Sequence, residues 1–235
     1  MTIETILKEL ESYTSEDTKK VLIRHGAREP FFGVKVQDLK KIVKKIKTNH
    51  ELSLQLYATG NSDAMYLAGL IADANKISKK DLNTWAKEAY WYYLSEYAVA
   101  WVAAESKFGL ELALEWIESP KENIASSGWA TLSNLCLIKD DTALDIELFS
   151  QLLDRVEKEI HQAQNRVRYT MNGFVIATGT SIKALTKKAS EIGTRIGKVD
   201  VNVGNTSCKV PLATEYIQKV IVKGNLGKKR KSARC

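Results

Sequence analysis

Only three prolines, Pro30, Pro120 and Pro211, interrupt a chain of 235 residues. Long stretches are therefore free of the residue that breaks a helix by removing an N–H and clashing with the preceding turn. Into those stretches the sequence writes helix starts again and again. Thr14-Ser15-Glu16-Asp17 and Ser78-Lys79-Lys80-Asp81 each set a hydroxyl three residues ahead of an acid. In that pattern the hydroxyl oxygen accepts a free backbone N–H and the acid reaches back. Ser119-Pro120-Lys121-Glu122 adds proline at a first helical position, where its missing donor costs nothing. Ile3, Ile6, Leu7 and Leu10 recur at the i, i+3, i+4, i+7 spacing of one helix face.

These signals predict helices near 2–12, 15–25, 36–47, 51–58, 62–75, 79–92, 95–106, 109–118, 120–138, 146–162, 165–178 and 181–196. Connections this short suit antiparallel neighbours. The fold class is all-α. Repeated pairs without a strict sequence repeat suggest a right-handed α-α superhelix of degenerate HEAT-like units over 1–197, with a compact bundle as the alternative. The segment 198–227 reads as an appendage. Val199, Val201 and Val203 alternate with Asp200 and Asn202 like a short strand. A helix carrying Tyr216, Ile217, Val220 and Ile221 is expected after Pro211. Residues 228–235 form a basic tail.

No apolar run approaches the ~20 residues of a membrane span, and Met1 to Tyr13 reads as an amphipathic helix rather than a leader. Three unevenly spaced cysteines make a disulfide framework improbable. Cys136 sits in an apolar stretch, Cys208 has no obvious role and Cys235 ends the chain. Together they suggest a reducing cytoplasm. His25, His50 and His161 make no metal spacing, and neither CxxC nor HExxH occurs. GxGxxG and Walker loops are absent; Gly224 to Lys229 resembles a phosphate loop only superficially. No metal and no cofactor are expected.

Charge is distributed unevenly. Residues 181–235 hold thirteen Lys and Arg against three acids, a net +10 in a chain of +7, so the first 180 residues carry −3. A mildly acidic body with a basic end points to a polyanion, here nucleic acid, bound through counterion release. The tail cations are Lys228, Lys229, Arg230, Lys231 and Arg234. A second basic element is the helix from Lys35 to Lys47, with Leu39, Ile42, Val43 and Ile46 inward and Lys40, Lys41, Lys44, Lys45 and Lys47 outward. Trp85, Tyr90, Trp91, Tyr92, Tyr93, Tyr97 and Trp101 form an aromatic group. No single helix face can bury the four consecutive rings 90–93, so some of them must face solvent or a cleft. Asn165-Arg166-Val167-Arg168-Tyr169, with Asn172 a turn beyond Arg168, can face a groove. The arginines can equally pair with acids such as Asp154 or Glu157.

The stretch Phe31-Phe32-Gly33-Val34-Lys35-Val36-Gln37-Asp38-Leu39-Lys40-Lys41-Ile42 resembles the lead-in to the third helix of the AlkD-like DNA alkylation repair family. The run from Gly227 to Cys235 resembles a tail in one branch of it, and residues 5–195 are compatible with its HEAT-like superhelix. The resemblance implies a concave basic surface that holds duplex DNA through its phosphates. It also implies excision of cationic alkylated purines: a carboxylate stabilises the oxocarbenium-like sugar and tryptophans contact the lesion. The family's Trp-x-x-x-Asp falls on Trp91 to Ser95, which puts serine at the acid's position. Glu96 is the neighbouring acid, one residue or about 100° further round a helix. The second aromatic falls near Phe174. The DNA-contacting arginine falls near Gly128, with Arg168 as a nearby substitute.

The expectation is thus a DNA-binding repair-type protein, with Trp91 and Glu96 as candidate catalytic residues. Lys40, Lys41, Lys44, Lys45, Tyr92, Arg166, Arg168, Phe174 and Lys228 to Lys231 are the candidate DNA contacts. The alternatives are a non-catalytic module that recognises DNA shape, and a protein–protein scaffold whose groove is acidic or apolar.

Overall fold

The computed structural model describes residues 1–234; Cys235 lies outside the described residues. The described residues form thirteen α-helices: α1 Ile3–Ser12, α2 Glu16–Arg24, α3 Val36–Ile46, α4 His50–Tyr57, α5 Ser62–Ile71, α6 Lys79–Glu88, α7 Ala100–Glu105, α8 Gly109–Trp116, α9 Glu122–Ile138, α10 Ile146–Glu159, α11 Asn165–Ser181, α12 Thr186–Ile196 and α13 Ala213–Val222. A π-helical turn, Leu94–Val99, runs directly into α7.

The helices stack in two rows. α5 packs on the π turn, the π turn and α7 on α9, α9 on α11, and α11 on α13. The second row lies behind, with α4 on α5, α8 on α9 and α12 on α11. Each inner helix meets its sequence neighbours rather than a common centre, as a solenoid requires and a bundle does not. The inner helices are apolar around much of their circumference: nine of the ten residues of α5 are buried, from Ser62 to Ile71 with only Leu70 partly open. Trp129 of α9 and Phe149 of α10 both meet Phe174 of α11 in the core, at ring-centroid distances of 5.3 and 5.9 Å.

Several helix boundaries differ from the sequence expectation for local reasons. The Ser78 and Asp81 capping box forms as expected. At α2 the cap is Ser15, accepting from the Thr18 amide, and not Thr14. Pro120 precedes α9 without entering it, and Lys121 takes the cap position. α6 stops at Glu88 instead of running to 92. There the Asn123 amide donates to the carbonyls of Ala86 and Lys87, satisfying groups that a continuing helix would have used. The chain is thereby released to spread the aromatic run 90–93 over a turn.

The strand-like valines form no strand. Val199 and Val201 are buried, and the extended backbone at Asn202 is held by a side chain. The Asn165 amide donates to the Asn202 carbonyl at 2.9 Å and accepts its N–H at 2.7 Å. One carboxamide supplies the donor and acceptor that a neighbouring strand would have offered.

The basic tail is not a free arm either. It crosses the C-terminal ends of four inner helices in reverse order. The Gly227 amide donates to Thr180 of α11. At the end of α9, Lys229 Nζ donates to Cys136 O at 2.8 Å and the Arg230 amide to Leu137 O at 2.7 Å. Glu105, the last residue of α7, accepts from Ser232, the Ala233 amide and Arg234. Arg234 then reaches the carbonyls of Leu70 and Ala72 at the end of α5. Helix C-termini carry unpaired carbonyls and partial negative charge, which explains why cations lie there.

Candidate functional site

The π turn decides where the candidate acid points. An α-helical turn puts Ser95 and Glu96 about 100° apart, whereas the wider π turn fits an extra residue into its circuit and re-aims the side chains around it. Both residues are buried. Ser95 faces the Ser126 hydroxyl at 3.4 Å. Glu96 crosses to α11, where Arg166 binds both its oxygens, Nε to Oε1 at 2.7 Å and Nη2 to Oε2 at 2.6 Å. The guanidinium lies between two rings, 4.1 Å from the Tyr92 centroid and 4.3 Å from that of Tyr169. Glu122 adds the backbone end, accepting from the Arg166 amide at 2.8 Å.

Burial pushes the Glu96 carboxyl up to about 7, against the pull of Arg166 towards the charged form. The same burial pushes the Tyr92 phenol up to about 12, so it stays neutral beside the guanidinium. Trp91 is also buried, and its indole N–H donates to Ser62 Oγ at 2.8 Å. Trp91, Tyr92, Ser95 and Arg166 line a cleft of about 330 Å³, together with His25, Asn202 and Gly204 from other parts of the chain.

The structure therefore brings together four of the residues expected from the sequence: Trp91, Tyr92, Glu96 and Arg166. Others lie elsewhere. Phe174 is wholly buried in the core cluster and offers no platform. Arg168 does not line the cleft, and its Nε is buried without a hydrogen-bond partner. Neither arginine pairs with Asp154 or Glu157, which bind Lys188 and Arg195 instead. Lys40, Lys41, Lys44 and Lys45 lie exposed on α3, outside the cleft, with Lys41 paired to Asp38 and Lys45 to Glu9. Lys228, Arg230 and Lys231 are exposed on the tail, whereas Lys229 is tied to Asp141 at 2.8 Å. Asn165 and Tyr169 lay in the run expected to face a groove without a stated role, and Glu122 was read only as part of a helix start. For Tyr169 the signal was its place three residues after Arg166, one helical turn along the same face.

A match to the model of the DNA alkylation repair enzyme family spans residues 6–193, which contains the cleft's helices. The chain belongs to that family. Two Listeria proteins, from L. innocua and L. monocytogenes and both described as uncharacterised, are each 34% identical to it over 225 residues, covering 93% of this chain and 97% of theirs. A solved structure matches at 41% identity with a TM-score of 0.92 over the whole of both chains. It is described as representing a new family of proteins related to the HEAT-like repeat DNA glycosylases, with affinity for branched DNA structures. The HEAT-like superhelix expected from the sequence is accordingly the fold of this alkylation-repair family member.

The sequence resemblance led to the expectation of an arginine near Gly128, and the packing there has no space for one. A Cβ at Gly128 would lie 2.8 Å from Ile117 N and 2.9 Å from Ala113 O, because α9 runs hard against α8. The close approach of the two helices leaves no room for an arginine at that point.

Proposed function

We propose that this protein binds DNA at branched or distorted sites by shape and phosphate contact, and leaves the bases in place. One observation carries the choice between binding and excision: the carboxylate and the aromatic cage are already occupied by the protein's own cation. A carboxylate that stabilises an oxocarbenium-like sugar needs a free oxygen facing it, but both oxygens of Glu96 are bound to Arg166. A cationic purine needs open ring faces, and Arg166 lies against both Tyr92 and Tyr169. Separating a buried pair of this kind costs about 3–5 kcal/mol.

Family membership and the branched-DNA affinity described for the matching structure support DNA as the partner. The cavity along α11 fits the same partner: Lys228, Lys229 and Arg230 are the charged residues of an otherwise largely apolar lining that contains no acid. Lys40 and Lys44, exposed and with no acid paired to them, join these as candidate phosphate contacts.

The test compares a four-way junction with linear duplex of equal length across a salt series, alongside base release from DNA bearing 3-methyladenine or 7-methylguanine. The expected result is tighter junction binding that falls linearly with log salt and no released base. Release of either methylated purine would refute the non-excising reading, and salt-independent or absent binding would refute the DNA reading.

A further inference from the structure

A second cavity of about 600 Å³ lies along α11 beyond Tyr169, within the ~300–1,000 Å³ range of small-molecule sites. Tyr169 connects it to the first cleft through Arg166: its ring lies 4.3 Å from the guanidinium that lines that cleft, and Tyr169 itself lines this cavity. Opposite, α13 contributes Tyr216, which is 47% exposed and has no assigned packing role. Lys228 and Arg230 stand at the rim. Among the described residues the Lys228 ammonium hydrogen-bonds to Asn225 and the Arg230 guanidinium has no acid paired to it, in contrast to the tied Lys229 and Arg234. The tail therefore divides its cations: some hold the fold, and others are left facing this cavity.

Asn172 supplies the remaining element. It is 1% exposed and lines the cavity; its Nδ2 donates to Pro211 O at 2.9 Å, while its Oδ1 has no donor among the described residues. A buried acceptor without a donor is costly, and the exocyclic amino group of a nucleobase is a donor of the right kind.

We propose that this cavity takes one unstacked nucleotide of a branched DNA, its base against Tyr216 and Tyr169 and its phosphate on Lys228 and Arg230. Aromatic side chains bind any base by its π-face, and cations track the backbone, so the site discriminates structure rather than sequence. Continuous duplex keeps its bases stacked and offers nothing to this cavity. A branch point with unpaired nucleotides does, so the cavity provides a basis for preferring branched DNA. The inference rests on the DNA-binding reading above.

The test uses the full chain and a three-way junction with two unpaired 2-aminopurine nucleotides at the branch, beside a linear duplex of equal length. Wild type is expected to change the 2-aminopurine emission. Tyr216→Ala should abolish that change and weaken junction binding roughly tenfold, the worth of one base–aromatic stack, while Tyr216→Phe should behave as wild type. Lys228→Ala/Arg230→Ala should weaken junction binding and lower the salt slope by roughly two contacts. Duplex binding should stay within about twofold for Tyr216→Ala. Both sites are exposed, and circular dichroism verifies the fold of each variant. Wild-type junction binding with Tyr216→Ala and Lys228→Ala/Arg230→Ala unchanged would overturn this inference alone. No wild-type binding to either DNA would overturn the DNA reading with it.

Discussion

Replacing Arg166 with alanine should make this protein's stability depend on pH in a way the wild type's does not. Glu96 is 6% exposed, and among the described residues Arg166 is its only partner by ion pair or side-chain hydrogen bond. Where Glu96 is ionised, removing its partner costs about 3–5 kcal/mol, because the carboxyl must either stay charged without a cation or take up a proton. In a domain of this size that lowers Tm by roughly 6–20 °C. The sign with pH follows from linkage. Burial has already raised the folded Glu96 pKa to about 7, above its unfolded value of 4.5. The native state thus holds this proton where the unfolded state has lost it, and Glu96's contribution to stability falls as pH rises from about 4.5 to 7. Loss of Arg166 removes the influence that favours the charged form, so the variant's pKa climbs further. Around pH 5 both proteins hold a neutral carboxyl, and the variant lacks only the arginine's hydrogen bonds and ring contacts. Above pH 7 the wild type ionises and the variant resists, so the gap widens by up to about 1.4 kcal/mol per pH unit. Urea unfolding at pH 5, 7 and 8.5 measures it, with Glu96→Gln and the double variant completing a mutant cycle. A pH-independent loss below about 1 kcal/mol, or additive single variants, would refute the claim that these residues act as a buried charged pair.

Other outcomes follow from the same structure. Asp63 accepts the backbone N–H groups of Phe32, Gly33 and Val34 at 2.6, 3.0 and 3.1 Å. Asp63→Ala should therefore cost about 3 kcal/mol or more by leaving buried donors unsatisfied, read as a lower urea midpoint with an unchanged m-value. Truncation after Gly227 removes the contacts to the ends of α9, α7 and α5. It should lower Tm measurably as well as weaken DNA binding; unchanged Tm would refute the structural role of the tail. Phe174→Ala should destabilise by about 3–5 kcal/mol as a core cavity, and the DNA affinity of its folded fraction should match wild type.

Much of the fold was legible because helical periodicity and capping are local. The Ser78 and Asp81 box needs four residues to be recognised and four to form. Helix ends were less legible where the satisfying group came from elsewhere in the chain, as Asn123 does for the carbonyls of α6. The false strand at 199–203 has the same origin. Alternation of valines marked residues that alternate between buried and exposed, but the backbone partner at Asn202 is the side chain of Asn165, 37 residues earlier. Charge misled more deeply. A run of Lys and Arg looks the same in a sequence whether it meets solvent or helix C-termini, and here Lys229 and Arg234 meet carbonyls while Lys228, Arg230 and Lys231 do not.

The site turned on a single residue of register. Trp91 and Glu96 were legible through the family resemblance, Tyr92 through the run of four aromatics and Arg166 through the Asn165–Tyr169 stretch, but the sequence was silent on their pairing. In an ordinary α-helix Ser95 would occupy the direction a family aspartate takes, with Glu96 turned about 100° aside. The π turn at Leu94–Val99 breaks that register and lets Glu96 reach α11. Once there, a carboxylate can remain buried only if a cation meets it, and Arg166 can remain buried only with Glu96 and the two tyrosine rings around it. The serine and the arginine are therefore linked departures. Restoring an acid by Ser95→Asp alone would place a second negative group within the same buried turn, next to Ser126, without freeing Glu96 from Arg166. That substitution should destabilise the protein rather than confer base excision.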